Sequence, residues 1–309
     1  MTRSVSPDPM NELLPISVCF VARDAEDVIA AAIQSVAFVR EIVVVVDERS
    51  QDDTERAVRD AVADRQHVEI AREQWRGHVA QKNAAIDRAE NEWVLCLDAD
   101  ESVSEELRGE VIGLFATGSQ HDRSPEDRPR CDGYSFPRRN VYFGRWIRHG
   151  GWYPDRKLRL FRKTRGRWQG TDPHDRVVVD RTTGELRGHV IHESYQSVRQ
   201  HLEKIDRYAT IAARGLWQRG VRRPVIRMWV HPLAKFVKAY LLKGGCLDGF
   251  PGFVIAGLGA FAVFLKYAKL WEILRAESLA RKSGAARAEI LLENGGAERQ
   301  LNDDAKADR

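Results

Sequence analysis

The sequence is poor in cysteine, with four in 309 residues, and none belongs to a CxxC pair or a cysteine/histidine metal spacing. This scattered pattern indicates a reducing, cytosolic compartment. No GxGxxG follows the first apolar run, and GxxxxGK[S/T] occurs nowhere in the chain. These absences argue against a dinucleotide dehydrogenase and against a P-loop NTPase.

Long hydrophobic segments are also scarce. The N-terminal stretch "MTRSVSPDPMNELLP" has no apolar core of the kind found in signal peptides, so we expect no export. An uncharged run of 17 residues extends from Gly249 to Leu265 and contains Pro251 and four glycines. As a helix it would span roughly 26 Å, which is marginal for a bilayer. Burial in the core and contact with a membrane both remain open for this run.

Acidic residues are missing from Arg207–Leu247, which contains nine lysines and arginines. Since the net charge of the chain is +4, the rest of the chain carries −5. This asymmetry indicates an anionic partner for the segment. Apolar residues recur in it at helical spacing, with Lys235 and Lys238 elsewhere on the circumference: Trp229, Leu233, Phe236, Val237, Tyr240 and Leu241. A basic amphipathic helix of this kind favours a peripheral anchor on an anionic membrane leaflet.

In the N-terminal half, apolar runs typical of strands alternate with stretches of helical spacing. With 43% apolar and 30% charged residues, the chain has the composition of a soluble globular protein of one large domain or two smaller ones. Strands are predicted at Ile16–Val21, Ile42–Asp47, Val68–Ile70 and Trp93–Asp98. Helical patterns separate them at Ala25–Phe38, Asp53–Asp64 and His78–Ala89. This order predicts an α/β fold with a mostly parallel central sheet flanked by helices.

Shorter strand-like pieces follow and are predicted to complete the sheet: Tyr134–Phe136, Leu158–Phe161, Arg176–Val179 and Arg187–Ile191. The polar segment 118–130 is typical of a surface loop, and a helix is expected from Ser197 to Trp217. We therefore expect four regions. They are a leader (1–14), a main domain (15–195, with halves 15–117 and 131–195), a helical membrane-proximal extension (196–275) and a charged tail (276–309).

An acidic cluster, "CLDADES", follows the fourth strand and contains Asp98, Asp100 and Glu101. Neighbouring carboxylates repel one another unless they lie in open water or hold a cation. Ligands of such sheets gather beyond the carboxyl ends of the strands, where Asp47 also lies. Hard oxygen ligands suit Mg²⁺ or Mn²⁺, which commonly complete their shells with substrate phosphates. A cation held here could stabilise a departing diphosphate.

Four blocks carry a resemblance in order and spacing: "ISVCFVARDAEDVIAAAIQSV", "VVDERSQDDT", "GHVAQKNAAIDRA" and "WVLCLDADE". Together they resemble family 2 glycosyltransferases with the GT-A fold. The later blocks "GYSFPRRNVYFGRWIRHGGWYPDRKLRLFRK" and "KAYLLKGGCLDGFPGFVIAGLGAFAVFLKYAKLWE" are similar to the lipopolysaccharide inner-core β-1,4-glucosyltransferase group.

The resemblance covers about Ile16 to Glu272. It implies an inverting, metal-dependent enzyme that moves a hexose, with glucose from UDP-glucose expected, onto a lipid-linked core oligosaccharide. The expected location is the cytoplasm, at the inner face of the cytoplasmic membrane. Two rivals stay open. One is the same fold acting on a polysaccharide or protein glycan, and the other is a non-catalytic scaffold at the membrane surface.

The resemblance also implies roles for the donor-side residues. Asp47 would hydrogen-bond the nucleotide base or ribose, Asp98 would contact the ribose or the metal shell, and Asp100 would ligate the cation. The nucleotide-sugar diphosphate or sugar would lie near three consecutive helix residues, Gln81, Lys82 and Asn83. The alternative for these three is a solvated helix face. For the aspartates after Asp47, capping of the next helix by Asp52 or Asp53 is the competing role.

An inverting transfer needs a carboxylate to take the proton of the acceptor hydroxyl. The relatives show Val-His-Glu where this chain has Pro173-His174-Asp175, so Asp175 is the expected base. Aspartate is one methylene shorter than glutamate, which requires a closer backbone, and Glu193 and Asp155 are alternatives. His192 would complete the metal shell or touch phosphate, or would be a strand-end histidine hydrogen-bonded to backbone.

Aromatic and basic residues alternate in "RWIRHGGWYPDRKLR". This stretch could be a packed loop, but aromatic faces stack on sugars and guanidinium groups pair with phosphate or carboxylate. We therefore expect six residues to bind an anionic glycan acceptor: Arg145, Trp146, Arg148, Trp152, Tyr153 and Arg156. Nucleic acid would favour similar residues, but the acidic nucleotide site beside them argues against it.

Overall fold

Four parallel strands with intervening helices form the first part of the chain. The computed structural model describes residues 13–64, 66–115, 131–170, 175–195 and 197–283. The predicted loop 118–130 and parts of the predicted leader and tail lie outside these residues. The first elements are β1 (Leu14–Ala22), α1 (Ile29–Gln34), β2 (Val39–Asp47), α2 (Thr54–Ala61), β3 (His67–Glu73), α3 (His78–Arg88) and β4 (Trp93–Asp98).

The following elements extend the sheet. They are β5 (Glu101–Val103), α4 (Glu105–Phe115), β6 (Gly133–Tyr142), β7 (Arg145–Trp146), β8 (Asp155–Arg162), β9 (Gly166–Gln169), β10 (Arg176–Val179), β11 (Thr183–Glu185) and β12 (Val190–Tyr195). The order in the main sheet is β3-β2-β1-β4-β8-β6-β12-β5, with β7 and β11 paired to β6. Strands β3, β2, β1 and β4 are parallel, whereas β8 joins β4 antiparallel. The predicted α/β fold with a mostly parallel sheet flanked by helices is confirmed.

Two predicted strands differ in the structure. The strand at Arg176–Val179 was expected in the main sheet, but β10 pairs with β9 in a separate two-stranded sheet. Gly166 permits this, because a side chain at this position would collide with Phe161 as the chain folds back from β8. The strand expected at Arg187–Ile191 begins only at Val190. The backbone N–H groups of Arg187 and Gly188 donate to the Glu110 carboxylate instead.

The first helix is also shorter than predicted. Its pattern extends over Ala25–Phe38, but α1 ends at Gln34. The N–H groups of Val36 and Ala37 bond to carbonyls three residues earlier, which tightens the chain into turns before β2 begins at Val39. The third predicted helix, by contrast, is present as α3 at nearly its predicted bounds.

Strict alternation in the parallel strands builds two apolar layers. Odd and even positions of a strand point to opposite faces, so each strand contributes to both layers. One layer packs against α1, α2 and α4, and contains Ile16, Val18, Phe20, Ile42, Val44, Val46, Leu95 and Leu97. The other packs against α3 and contains Cys19, Val43, Val45, Val94 and Cys96. Asp47 and Asp98 continue the α3-facing series, so they reach the sheet end on the α3 side.

The described residues form two compact units. One holds the residues up to Arg138 together with Asp155–His192. The other holds Arg139–Pro154 and the residues from Glu193 onward. The second unit contains α5 (Val198–Gln218), α6 (Pro224–Val237), a π-helical turn (Lys238–Leu242), a 3₁₀ turn (Gly245–Asp248) and α7 (Gly249–Ser283). The helix predicted from Ser197 to Trp217 is confirmed as α5, and the hydroxyl of Ser197 caps it by accepting from the N–H of Gln200.

The uncharged run lies in α7, and it is not a fully buried core helix. Ile255 and Ala256 are buried, whereas Phe250, Phe253 and Phe261 are exposed. By length and composition alone, Gly245–Leu279 is the one helical stretch among the described residues that could cross a membrane. Only 22% of its most apolar window is buried.

Close packing at Gly188 gives a stability prediction. A Cβ at this position would collide with the backbone of Leu107 in α4, which cannot move aside as a flexible side chain can. We expect Gly188→Ala to lower the free energy of unfolding by about 2–3 kcal/mol. Urea denaturation measures this change.

Gly109→Ala is the matched control, because a Cβ there meets nothing within 4 Å and the residue lies inside α4. This change should leave stability equal or raise it by up to about 1 kcal/mol, since alanine favours helix over glycine. Equal stability of the two variants would contradict the packing argument.

Candidate active site

A lysine from α3 contacts two carboxylates, one at the end of β4 and one directly before β10. The Nζ of Lys82 is 3.1 Å from Oδ1 of Asp98 and 2.9 Å from Oδ2 of Asp175. The second oxygen of Asp98 is 3.2 Å from Nη2 of Arg159. Three residues predicted to bind donor or act as base are therefore in direct contact. Both oxygens of Asp98 are held by cations of the protein itself.

Two arginines that the sequence reasoning missed complete this charge network. Arg159 is buried in β8 and approaches Oε1 of Glu101 to 3.7 Å, while Nη1 of Arg138 in β6 lies 3.2 Å from the same oxygen. Arg138 also contacts Asp155 at 2.8 Å. The sequence does contain a signal for Arg159. This arginine lies in the apolar strand "KLRLF", between Leu158 and Leu160. An apolar strand tolerates a buried arginine only when it is paired.

The ring of Trp168 in β9 contacts both Lys82 and Arg159. Its ring centroid is 4.1 Å from Nζ of Lys82 and 4.7 Å from the guanidinium carbon of Arg159. Cations over an aromatic face are attracted by the ring quadrupole. The backbone of Trp168 is fixed by Asn83, whose Nδ2 donates to its carbonyl (3.0 Å) and whose Oδ1 accepts from its N–H (3.1 Å). Asn83 therefore positions β9, and its contact with donor stays a prediction.

Gln81 carries an unusual signal. Its side chain is fully buried, and neither amide atom has a hydrogen-bond partner in the described part of the chain. A buried amide without partners costs free energy, so a ligand or water is the expected partner. This burial is inconsistent with the alternative of a solvated helix face for Gln81.

The two predicted metal ligands meet at a sheet edge. Nε2 of His192 in β12 is 3.2 Å from Oδ2 of Asp100, which follows β4. The pair offers one imidazole nitrogen and a carboxylate to a cation. Among the described residues, the group of three that is close enough to hold a metal ion lies elsewhere, at Glu41, His67 and Glu90.

Asp47 ends β2 and is buried. Its carboxylate accepts from the backbone N–H of Arg49 (3.0 Å) and from Nη2 of the same arginine (2.9 Å). Burial raises the pKa of Asp47, but these hydrogen bonds outweigh it and lower the pKa below its usual value. Oδ1 of Asp52 accepts from the N–H of Thr54, the first residue of α2, at 3.2 Å, whereas Asp53, at the N-cap position, makes no side-chain capping bond. This contact at the helix start does not involve Asp47.

The base candidates are all carboxylates in distinct surroundings. Burial raises the pKa of Asp175, but the charge of Lys82 outweighs this effect and holds that pKa below its usual range. Asp155 is half-buried, and Arg138 and Lys157 lower its pKa. Glu193 is exposed and follows His192 in β12, so the two side chains point to opposite faces of the sheet.

The predicted acceptor residues are distributed over the two units. Trp146 of β7 is flanked by Arg148 at 4.2 Å and contacts the ring of Tyr153 edge-on at 5.3 Å. Trp152 packs edge-on against Tyr142 at 6.1 Å, and Arg145 is exposed. These residues belong to the second unit.

Arg156 belongs to the first unit. Its Nη2 donates to the carbonyls of Leu186 (2.8 Å) and Ser135 (3.2 Å) and pairs with Glu185 at 3.3 Å. The guanidinium thus already joins β6, β8 and the segment at β11. An acceptor-binding role for all six residues stays a prediction.

Comparison with known proteins identifies the family. A family model described as glycosyl transferase family 2 matches residues 17–178, just over half of the chain. The chain belongs to glycosyl transferase family 2. An uncharacterized glycosyltransferase of Rickettsia typhi is 30% identical over 267 residues, which cover 84% of this enzyme and 87% of that protein.

A second relative carries a more specific name. The lipopolysaccharide core biosynthesis glycosyltransferase LpsC of Rhizobium meliloti is 27% identical over 262 residues, covering 84% of this enzyme and 93% of LpsC. Two solved structures are also similar. They are S. aureus TarS 1–349 in complex with UDP-GlcNAc (TM-score 0.42, 13% identity, 88% and 93% coverage) and the mannosyltransferase PcManGT of Pyrobaculum calidifontis with GDP-Man and Mn²⁺ (0.42, 15%, 98% and 87%).

The ion pairs of Asp98 predict a pH-dependent stability. Burial raises the pKa of Asp98, but Arg159 and Lys82 outweigh it and hold the pKa far below its usual range. The folded state therefore keeps Asp98 ionised. Its contribution is fully present above the unfolded pKa of about 4 and is lost as pH falls below that value.

We expect Asp98→Asn to lower the free energy of unfolding at pH 7 by about 2–3 kcal/mol, because Lys82 and Arg159 each lose one of their ion-pair partners. Urea denaturation at pH 7, 5 and 3.5 should show this difference shrinking with falling pH. Asp87→Asn, which breaks an exposed pair with Arg167, is the control and should change stability by less than about 1 kcal/mol. A difference that stays constant between pH 7 and pH 3.5 would refute the assignment.

Proposed function

We propose that the enzyme transfers a hexose, most simply glucose from UDP-glucose, with inversion onto a lipopolysaccharide core or another lipid-linked glycan. The observation that carries this proposal is the contact of Lys82 with both Asp98 and Asp175. It unites a cation suited to a diphosphate with a carboxylate suited to accept a proton. The similarity to LpsC, a lipopolysaccharide core biosynthesis glycosyltransferase, supports the acceptor class.

A divalent cation would be held by Asp100 and His192. The two side chains already touch, and a donor set of one imidazole and one carboxylate suits Mn²⁺, whereas Mg²⁺ favours oxygen alone. When bound, such a cation neutralises the charge that develops on a departing diphosphate. Asp98 is a weaker candidate for direct ligation, because Lys82 and Arg159 already hold both of its oxygens.

Donor recognition would use Asp47, Gln81 and Lys82. Asp47 presents a buried carboxylate at the end of β2, where parallel strands of this kind bind ligands. The amide of Gln81 is the buried group that most needs a partner. Lys82 supplies a positive charge beside it for the phosphates.

Asp175 would act as the base that takes the proton of the attacking hydroxyl. In the structure its pKa is lowered by Lys82, which makes it a weak base. If the Lys82 ammonium turns to the diphosphate of a bound donor, Asp175 loses this partner and its pKa rises. Donor binding would then activate the base. Asp155 is tied to both Arg138 and Lys157, which makes it the poorer candidate.

Two substitutions separate metal from base. With UDP-glucose and Mn²⁺, we expect Asp175→Asn to keep donor binding in calorimetry while transfer falls about 10²–10⁴-fold, because only the proton acceptor is lost. Asp100→Ala should instead lose the Mn²⁺-dependent part of donor binding. Transfer is measured by release of UDP in the presence of a core oligosaccharide acceptor.

Asp155→Asn and Glu193→Gln are the matched controls and should each retain transfer within about tenfold, a loss far smaller than that of a general base. Full transfer activity in Asp175→Asn would mean that Asp155 or Glu193 is the base instead. Donor binding by Asp100→Ala that responds to Mn²⁺ like the wild type would contradict the metal assignment. No binding of any nucleotide sugar by the wild-type protein would favour the scaffold instead.

An anionic membrane surface is the proposed partner of α6. Four apolar residues lie on one face of this helix at spacing i, i+3, i+4 and i+7 and are exposed to 56–74%: Ile226, Trp229, Val230 and Leu233. A cavity of ≈470 Å³ at the start of α6 is lined by Arg222, Arg223 and Arg275 beside apolar groups. Apolar surface with adjoining arginines fits a leaflet of negative lipids. The expected location is therefore the inner face of the cytoplasmic membrane.

Vesicle sedimentation tests this partner. Neutralising Arg222, Arg223 and Arg227 to Gln should weaken binding to phosphatidylglycerol vesicles about 100-fold at low salt, since each charge near the surface contributes about 1 kcal/mol. The effect should shrink at 0.5 M salt, where the charges are screened. Trp229→Ser should weaken binding at both salt concentrations.

The control neutralises three exposed arginines of the first unit, Arg40, Arg56 and Arg181, and should bind like the wild type. Equal losses of vesicle binding in both triple variants would mean that net charge alone, and not the position of these arginines near α6, explains the binding. Wild-type protein that fails to sediment with anionic vesicles at low salt would rule out the partner.

A further inference from the structure

Three potential metal ligands meet where the parallel strands begin. Glu41 in β2 and His67 in β3 are direct register partners, and Glu90 lies between α3 and β4. One ligand atom from each residue lies within 4.8 Å of the others. We propose that Glu41, His67 and Glu90 form a second divalent metal site, distinct from the candidate active site.

Glu41 supplies the independent observation. It is 99% buried, and its Oε2 accepts from the N–H of Glu90 (2.9 Å), from Nδ2 of Asn91 (3.2 Å) and from the Ser17 hydroxyl. Its Oε1 is also buried but accepts no hydrogen bond from any described residue. A buried carboxylate oxygen is costly unless a donor or a cation meets it. Oε1 is thus the oxygen left for a metal ion.

The site lies far from Asp47 along the same strand. Glu41 and Asp47 point to the same face of β2, because they are six residues apart. At about 3.3 Å per residue, this separation is roughly 20 Å. A cation bound at Glu41 therefore cannot contact a donor diphosphate bound beside Lys82 and Asp98.

The chemistry of the three ligands selects the ion. One imidazole and two carboxylates form a donor set that suits Zn²⁺, and three protein ligands leave one position for water. The two carboxylates would balance the charge of the ion. His67 and Glu90 are exposed, so an ion can enter from solvent without opening the fold. Binding would link β2, β3 and the segment between α3 and β4, and this link would stabilise the folded state.

Zinc titration of the full-length protein tests the proposal. The background variant carries Asp100→Ala and His192→Ala, so that the candidate active site does not contribute. By competition with a chromophoric chelator, we expect this background to bind one equivalent of Zn²⁺ and its melting temperature to rise. Adding His67→Ala or Glu90→Gln should weaken binding at least tenfold and remove the rise in melting temperature.

His189→Ala, which alters a second histidine–glutamate pair of the same unit, is the matched control and should bind like the background. Because Glu41→Gln alters a buried group and could prevent folding, the exposed positions His67 and Glu90 decide the outcome. Unchanged affinity in both of these variants overturns the proposal, as does a background protein that binds no zinc.

Discussion

Negative charge concentrated at the end of β4 is the constraint on which the first unit depends. Asp98 and Glu101 can share a small, partly buried volume because Lys82, Arg138 and Arg159 are interposed. These cations come from α3, β6 and β8, so the charge balance also fixes how distant parts of the chain meet. The acidic cluster is therefore held by protein cations, and a donor diphosphate would have to enter an existing network. Binding there would replace a carboxylate partner of Lys82 with the diphosphate.

In the second unit, the notable feature is exposed apolar surface. Its helices bury apolar groups such as Ala213, Tyr267 and Leu270, whereas α6 exposes a stripe of apolar side chains. Water disfavours such a surface, and large contiguous apolar patches are uncommon on soluble monomers. A glycan acceptor that is itself embedded in lipid would bring the enzyme to the same interface. The exposed stripe and the proposed acceptor class would thus both favour a membrane surface.

Local patterns in the sequence were enough to predict the parallel strands, α3, α5 and the positions of Asp47 and Asp98. Period-two and helical periodicities are local properties, and they place residues at element ends. Arg159 could not be predicted as a partner of Asp98, because their contact depends on the antiparallel register of β8 against β4. Placement of β10 failed for a related reason. A strand pattern does not say which neighbour a strand will choose when a glycine lets the chain fold back.

The ring of Trp168 contacts both Lys82 and Arg159, and the backbone of Trp168 is fixed by Asn83, which has a consequence for how this protein can vary. Loss of either cation removes one of the two ion-pair partners of Asp98 and one of the two cations that contact the indole. A substitution of Lys82 or Arg159 alone therefore loses both an ion pair and a cation–aromatic contact. We expect Lys82, Asn83, Arg159 and Trp168 to co-vary among related enzymes rather than to change one at a time.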